Sequence, residues 1–196
     1  MTTPATIADS FTLANGRVIA NRFIKSAMSE QLGLPDRNPS EDLANAYRQW
    51  AQGGCGVLVS GNIMVDREHL GEPKNVVLDE QSDLATFRRW ADAATSNGNE
   101  FWAQLNHPGK QIPSFLNKKP VAPSAVPLGA GLDKAFATPR AMTDEEIKTL
   151  IGRFGTAARL AKESGFTGVQ IHGAHGYLVS QFLSPRANIR TDRWGG

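Results

Sequence analysis

Arg22-Phe-Ile-Lys-Ser-Ala-Met-Ser-Glu-Gln-Leu-Gly33 decides which architecture this 196-residue chain can adopt. The stretch begins as a short apolar run over 22–28 and empties into polar residues, the pattern of a buried strand leading into a loop. A doubly wound nucleotide-binding sheet would deliver a glycine-rich phosphate loop here, and neither GxGxxG nor GxxxxGK[ST] follows. Three further runs of strand length succeed it: Gly56-Val-Leu-Val-Ser60, Phe101-Trp-Ala-Gln-Leu105 and Thr167-Gly-Val-Gln-Ile171. Helical patterns separate these runs, and parallel neighbours need right-handed helical crossovers. The expected fold class is therefore α/β, a (β/α)8 barrel of which 1–196 holds about the first four strands and three helices in one domain.

The connecting helices carry their own signals. Asn38-Pro39-Ser40-Glu41 offers an N-cap at Asn38, proline at the first helical position and a carboxylate three residues after the cap; Leu43, Ala46, Tyr47 and Trp50 then share a face. Leu84, Phe87, Ala91 and Ala94 mark a second helix closed by Asn97-Gly98. Thr143 to Glu146 is a capping box opening a third, with Ile147, Leu150, Ile151, Phe154, Ala158 and Ala161 on one stripe. Ahead of all of them, Asn15-Gly16 between short apolar segments predicts a hairpin with a two-residue turn. The connection 106–142, rich in proline and glycine, is long enough to suggest a functional loop or lid.

Composition narrows the function. A formal charge of +2, with scattered Lys and Arg, offers no footprint for nucleic acid or a membrane surface. Cys55 is the only cysteine, so no disulfide framework or iron–sulfur ligand set is present in the sequence, and Cys55 reads as a small buried hydrophobe. No apolar run approaches bilayer length and no signal peptide opens the chain, which predicts a cytoplasmic protein acting on small molecules. Gly129-Ala130-Gly131 lacks the third glycine and preceding strand of a dinucleotide fingerprint.

Polar and special residues gather at the predicted C-terminal strand ends, where such barrels place their chemistry: Ser26 to Ser29, Ser60 to Asn62, Gln104 to His107 and His172 to Tyr177. His172 and His175 leave the last strand among glycines, with Tyr177 beside them. The pair could be hydrogen-bonded loop histidines, or ligands of a metal if His107 joined them, although no carboxylate or second cysteine stands at a usual spacing. As neutral donors beside a phenol they could polarise a carbonyl oxygen while tyrosine supplies a proton. Gln104 could be satisfied by backbone, or could match the imide edge of a planar heterocycle. Gly61, placed where a strand ends, would let a flat ring approach the backbone.

His172-Gly-Ala-His-Gly-Tyr-Leu-Val-Ser-Gln-Phe-Leu-Ser-Pro-Arg-Ala-Asn-Ile-Arg-Thr-Asp-Arg-Trp-Gly-Gly196 closely resembles the signature of the old yellow enzyme family of NAD(P)H:flavin oxidoreductases. Further matching motifs are NRFIKSAMSE, GVLVSGNI, QLNHPGKQ, VAPSAVP and PRAMTDEEI, in family order along almost the whole chain. The resemblance implies an FMN-dependent barrel that passes hydride from NADH or NADPH through flavin N5 to the activated alkene of an enone-type substrate. It implies that Ala27, Met28 and Ser29 border the flavin, that Gly61 lies beside its ring, and that Gln104 holds its pyrimidine edge. His172 and His175 would bind the substrate carbonyl, His172 also lying against the cofactor, and Tyr177 would protonate the α-carbon. No metal is implied.

The sequence departs from the family pattern in places. Ser29 stands where Thr or Cys is frequent, Ala27 where Pro is frequent, and Trp194 where Tyr is usual. The arginine after the fifth barrel strand and the phosphate loops after the seventh and eighth lie outside the 196 residues. Two expectations follow: this is the N-terminal part of an ene reductase, or it is a non-catalytic half barrel or flavin-binding remnant. A half barrel would leave two uncovered edges, so self-association into a homo-oligomer is its natural outcome.

Overall fold

The computed structural model describes residues 5–129 and 131–195. Ala130, at the centre of the discounted Gly129-Ala130-Gly131 stretch, lies outside them. The chain opens with an antiparallel hairpin of β1 (Phe11–Thr12) and β2 (Val18–Ile19). The predicted two-residue turn is not what forms. Leu13 and Arg17 are joined by a 2.8 Å backbone bond, and of the residues between them only Gly16 has positive φ, at 85°. The loop is thus the three-residue kind, which needs the left-handed conformation once, at glycine, where the two-residue turn needs it twice.

A parallel sheet follows, formed by β3 (Ile24–Lys25), then after α1 (Glu41–Gln52) by β4 (Val57–Met64), then after α2 (Leu84–Ala94) by β5 (Glu100–Asn106). The long connection to the last strand contains β6 (Val121–Ala122), a 3-10 turn over Leu132–Lys134 and β7 (Arg140–Ala141), then α3 (Asp144–Glu163). β8 (Gly168–Ile171) completes the sheet in the order β3-β4-β5-β8, and a six-residue helix, α4 (Leu178–Leu183), is the last regular element. The sequence carries no cap signal for α4, and none forms: Tyr177 stands at its N-cap without a side-chain bond.

Helix starts follow side-chain chemistry with one shift. Ser40, not Asn38, caps α1 by accepting from the Leu43 N–H at 3.1 Å, so Pro39 precedes the cap. Asn38 is used elsewhere, its Oδ1 accepting from the Asp83 N–H at 2.9 Å and tying this loop to the start of α2. Asp83 in turn caps α2. The predicted box at α3 is present in both directions between Thr143 and Glu146.

The core lies between the outer face of the sheet and α1–α3. Tyr47, Trp90, Phe101 and Phe166 pack there edge-on or stacked, with Leu58, Leu105 and Leu160 around them. The stripe read on α3 divides in the structure. Ile147, Leu150 and Ala161 are buried, whereas Ile151 is 56% exposed in a groove beside α4.

The long connection is more structured than a lid. β6 and β7 pair in parallel, Ile112, Val121, Ala122 and Met142 are buried, and Lys110 Nζ donates to the carbonyls of Val126 and Pro127. Its backbone polar groups are answered locally, as a folded segment over a core requires. Among the described residues no helix is long and apolar enough to cross a membrane.

Candidate active site

The four parallel strands end on one side, and a cleft of about 150 Å3 lies there. It is lined by Ala27, Met28 and Ser29 after β3, Asn62 on β4, Gln104 on β5, and His172, His175 and Tyr177 after β8. Glu72, from the loop after β4, completes it. Residues far apart in sequence meet because parallel strands present all their C-terminal ends to the same side.

Gly61 is the predicted site residue that does not line this cleft. β4 does not end there but continues to Met64, with its register against β5 shifting between Val59 and Asn62. The irregularity turns Gly61 away and sets Asn62 opposite Gln104. A Cβ on Gly61 would collide with the Glu30 carboxylate and the Met28 carbonyl. Glycine is therefore required by the close approach of the loop after β3.

That loop is anchored by a buried polar cluster. The Tyr47 hydroxyl donates to Glu30 Oε1 at 2.5 Å and accepts from the Gly61 N–H at 2.9 Å. Lys25 Nζ pairs with Glu30 at 3.7 Å, donates to the Val59 carbonyl and lies 4.4 Å from the centre of the Trp50 ring. Burial raises the pKa of Glu30 and Tyr47 and lowers that of Lys25, in each case by penalising the charged form. The cluster ties Gly61, and through it β4, to the strand end that carries Ala27, Met28 and Ser29.

On the opposite wall His172 lies with its ring centre 5.2 Å from His175 and 4.9 Å from Tyr177, nearly perpendicular to both. The Ala174 N–H donates to His172 Nδ1 at 3.3 Å, which places the proton of a neutral ring on Nε2. Burial first, and the neighbouring His175 second, lower the His172 pKa and keep it neutral. His175 takes a positive φ of 56°, and its carbonyl accepts from Gln111 Nε2 at 2.7 Å, so the long connection fixes this turn. Tyr177 has a raised pKa, from burial first and then from Glu72, so its phenol retains its proton.

Gln104 is 8% exposed; its backbone N–H donates to Ser60 Oγ and its Nε2 to Gln170 Oε1 at 2.8 Å. Gln170 and Glu72 are the polar residues that sequence reasoning missed. Gln170 had a usable signal, since it stands two residues before His172 on the same strand face. Glu72 had none, for it sits in a loop and reaches Ser29 from forty-three residues away.

His107 is not part of the cleft. Its Nε2 lies 3.7 Å from Asp66 Oδ2, the oxygen that also meets His69 Nδ1 at 2.9 Å and pairs with Arg153. The candidate ligand atoms of Asp66, His69 and His107 lie within 4.8 Å of one another. The Gly109 N–H donates to His107 Nδ1 at 3.0 Å, so the neutral ring carries its proton on Nε2, the atom a cation would need. The geometry is that of a hydrogen-bonded carboxylate–imidazole cluster.

The polar groups of the cleft fit a flavin ring system: two amides, Gln104 and Asn62, and the Ser29 hydroxyl oxygen line it from three neighbouring strands, beside a neutral imidazole. The model for the NADH:flavin oxidoreductase / NADH oxidase family matches residues 9–196. The NADH-dependent flavin oxidoreductase iliE of a Neonectria species is 42% identical over 94% of this chain and 26% of its own length. NADH-dependent flavin oxidoreductase nadA of Aspergillus parasiticus is 39% identical over 92% of this chain and 44% of its own length. Among solved structures, the old yellow enzyme homologue from Zymomonas mobilis superposes with a TM-score of 0.88 at 31% identity, over 98% of this chain and 55% of that one. Morphinone reductase superposes at 0.88 and 25% identity, over 97% and 54%. The chain thus spans about half, or less, of the length of these relatives, and its sheet and helices match the corresponding part of their TIM barrels.

Proposed function

Since the chain belongs to the NADH:flavin oxidoreductase / NADH oxidase family, we propose that it supplies the flavin-facing and substrate-facing half of an ene reductase. The observation that supports this reading is the convergence of Ala27, Met28, Ser29, Gln104, His172, His175 and Tyr177 on one cleft. FMN, when bound there, would supply hydride transfer from a nicotinamide to an alkene. NADH is the donor we assign, because the relatives iliE and nadA are named as NADH-dependent.

The residues of the chain have separable tasks in this reading. Gln104, freed from Gln170, and Asn62 would orient the ring system through its imide edge, while Ala27 and Met28 border it. His172, neutral with Nε2–H directed outward from its Nδ1 bond, would donate to the carbonyl oxygen of an α,β-unsaturated substrate, with His175 as second donor. Charge that develops on that oxygen is then met by donors already in place. Tyr177, whose proton is held by burial, would deliver it to the α-carbon. The substrate is a small enone-type molecule; no nucleic acid, membrane or metal takes part.

The test uses the protein as its gene encodes it. It should purify with FMN and, with dioxygen excluded, turn over NADH only when an enone such as 2-cyclohexenone is present, releasing the saturated ketone. Tyr177→Phe should slow alkene reduction by about 10² or more while leaving flavin reduction by NADH unchanged in stopped-flow absorbance. Equal slowing of both half-reactions, or of neither, would remove Tyr177 from the role of proton donor.

A further inference from the structure

Glu72 is the acidic residue of the cleft, and no Lys or Arg lines it among the described residues. Its carboxylate is held by Ser29 and its backbone by Asn75. Ser29 Oγ donates to Glu72 Oε2 at 2.5 Å, across the mouth from β8. The Glu72 backbone N–H donates to Asn75 Oδ1 at 2.7 Å, and Asn75 Nδ2 reaches Asn62 Oδ1 at 3.3 Å, so its loop is bound to another cleft residue. Glu72 also acts electrostatically on Tyr177, whose proton it helps to hold.

Ser29 is therefore committed as a donor to Glu72, and what it presents to the cleft is an acceptor. His172 is kept uncharged by burial and offers no counter-charge. A molecule entering between Ser29 and Tyr177 meets a fixed negative charge in a half-enclosed cavity, where screening is weaker than in open water. We infer that Glu72 is a specificity-determining residue, which disfavours alkenes carrying a carboxylate and favours neutral or cationic unsaturated carbonyl compounds. The inference rests on the ene-reductase reading for the identity of the cleft, but it concerns charge alone.

The experiment compares two ligands that differ in one charge, 3-oxo-1-cyclohexene-1-carboxylate and its methyl ester. Dissociation constants are taken from the change in flavin absorbance of the FMN-loaded, gene-encoded protein, with turnover measured separately. The unaltered protein should bind the ester more tightly, and Glu72→Gln should shift the acid-to-ester ratio by about tenfold toward the acid, less at high salt. Glu72→Lys, with a cation in the same place, should reverse the preference. A ratio unchanged in both variants would overturn the inference. If the ratio moves as expected but neither compound is reduced, the charge inference stands and the ene-reductase reading falls.

Discussion

His107 shows how a single residue can change its meaning between sequence and structure. At the end of β5 it could have joined His172 and His175, yet it is 2% exposed beside Asp66 and His69. Burial pulls its pKa down to about 4, against the pull of the Asp66 carboxylate, while the unfolded imidazole titrates near 6.5. Between those values the unfolded chain binds more protons, so the stability that His107 contributes is complete above about pH 6.5 and is lost as the pH falls toward 4. The loss could reach about 3 kcal/mol for a shift of this size. Urea midpoints measured from pH 7 to pH 4.5 should fall, and His107→Asn should flatten that fall; equal slopes in the two proteins would reject the assignment. His172 contributes with the same sign, because burial lowers its pKa as well.

At the scale of elements, β4 is the strand that organises the cleft. Its irregularity between Val59 and Asn62 was not visible in Gly56-Val-Leu-Val-Ser60, where the apolar run stops and suggests a strand end. The run stops because Ser60 serves Gln104 and Gly61 makes room for Glu30, not because pairing ends. Gly61→Ala should therefore cost about 1–3 kcal/mol through a clash with the Met28 carbonyl and with the Glu30 carboxylate that Tyr47 holds. Chemical denaturation tests this, and a loss below about 0.5 kcal/mol would mean the loop after β3 yields easily. Local rules did better where one residue caps its own helix: Thr143 and Glu146 were legible because a capping box is complete within four residues. Asn38 was misread since its partner, Asp83, lies in another element.

For the whole molecule, the sheet order places β3 and β8 at its two edges, with Ile24 57% and Ile171 48% exposed. A second apolar surface, a groove of about 530 Å3, lies between α3 and α4, lined by Ile147, Ile151, Phe154, Phe182, Leu183 and Trp194. Parallel strands with open edges, beside a groove of this kind, favour association. Residues 1–196 produced alone should accordingly elute well above the 21.2 kDa monomer mass. Light scattering decides the matter, and a stable monomer at micromolar concentration would contradict it.

The amino-acid order by itself determined the alternation of the four sheet strands with α1–α3, two of the four α-helix starts to within a residue, and the absence of a phosphate loop after the first strand. Each depends on interactions within a few residues, where backbone geometry and side-chain type suffice. It also nominated eight of the nine residues around the cleft, all but Glu72, because a parallel sheet sends all its C-terminal ends to one side. Only the tertiary structure decided that Gly61 serves Glu30 and Met28, that His107 belongs to Asp66, and that Glu72 reaches Ser29. Those are contacts between distant segments, set by a register shift and by loop paths that no local periodicity encodes.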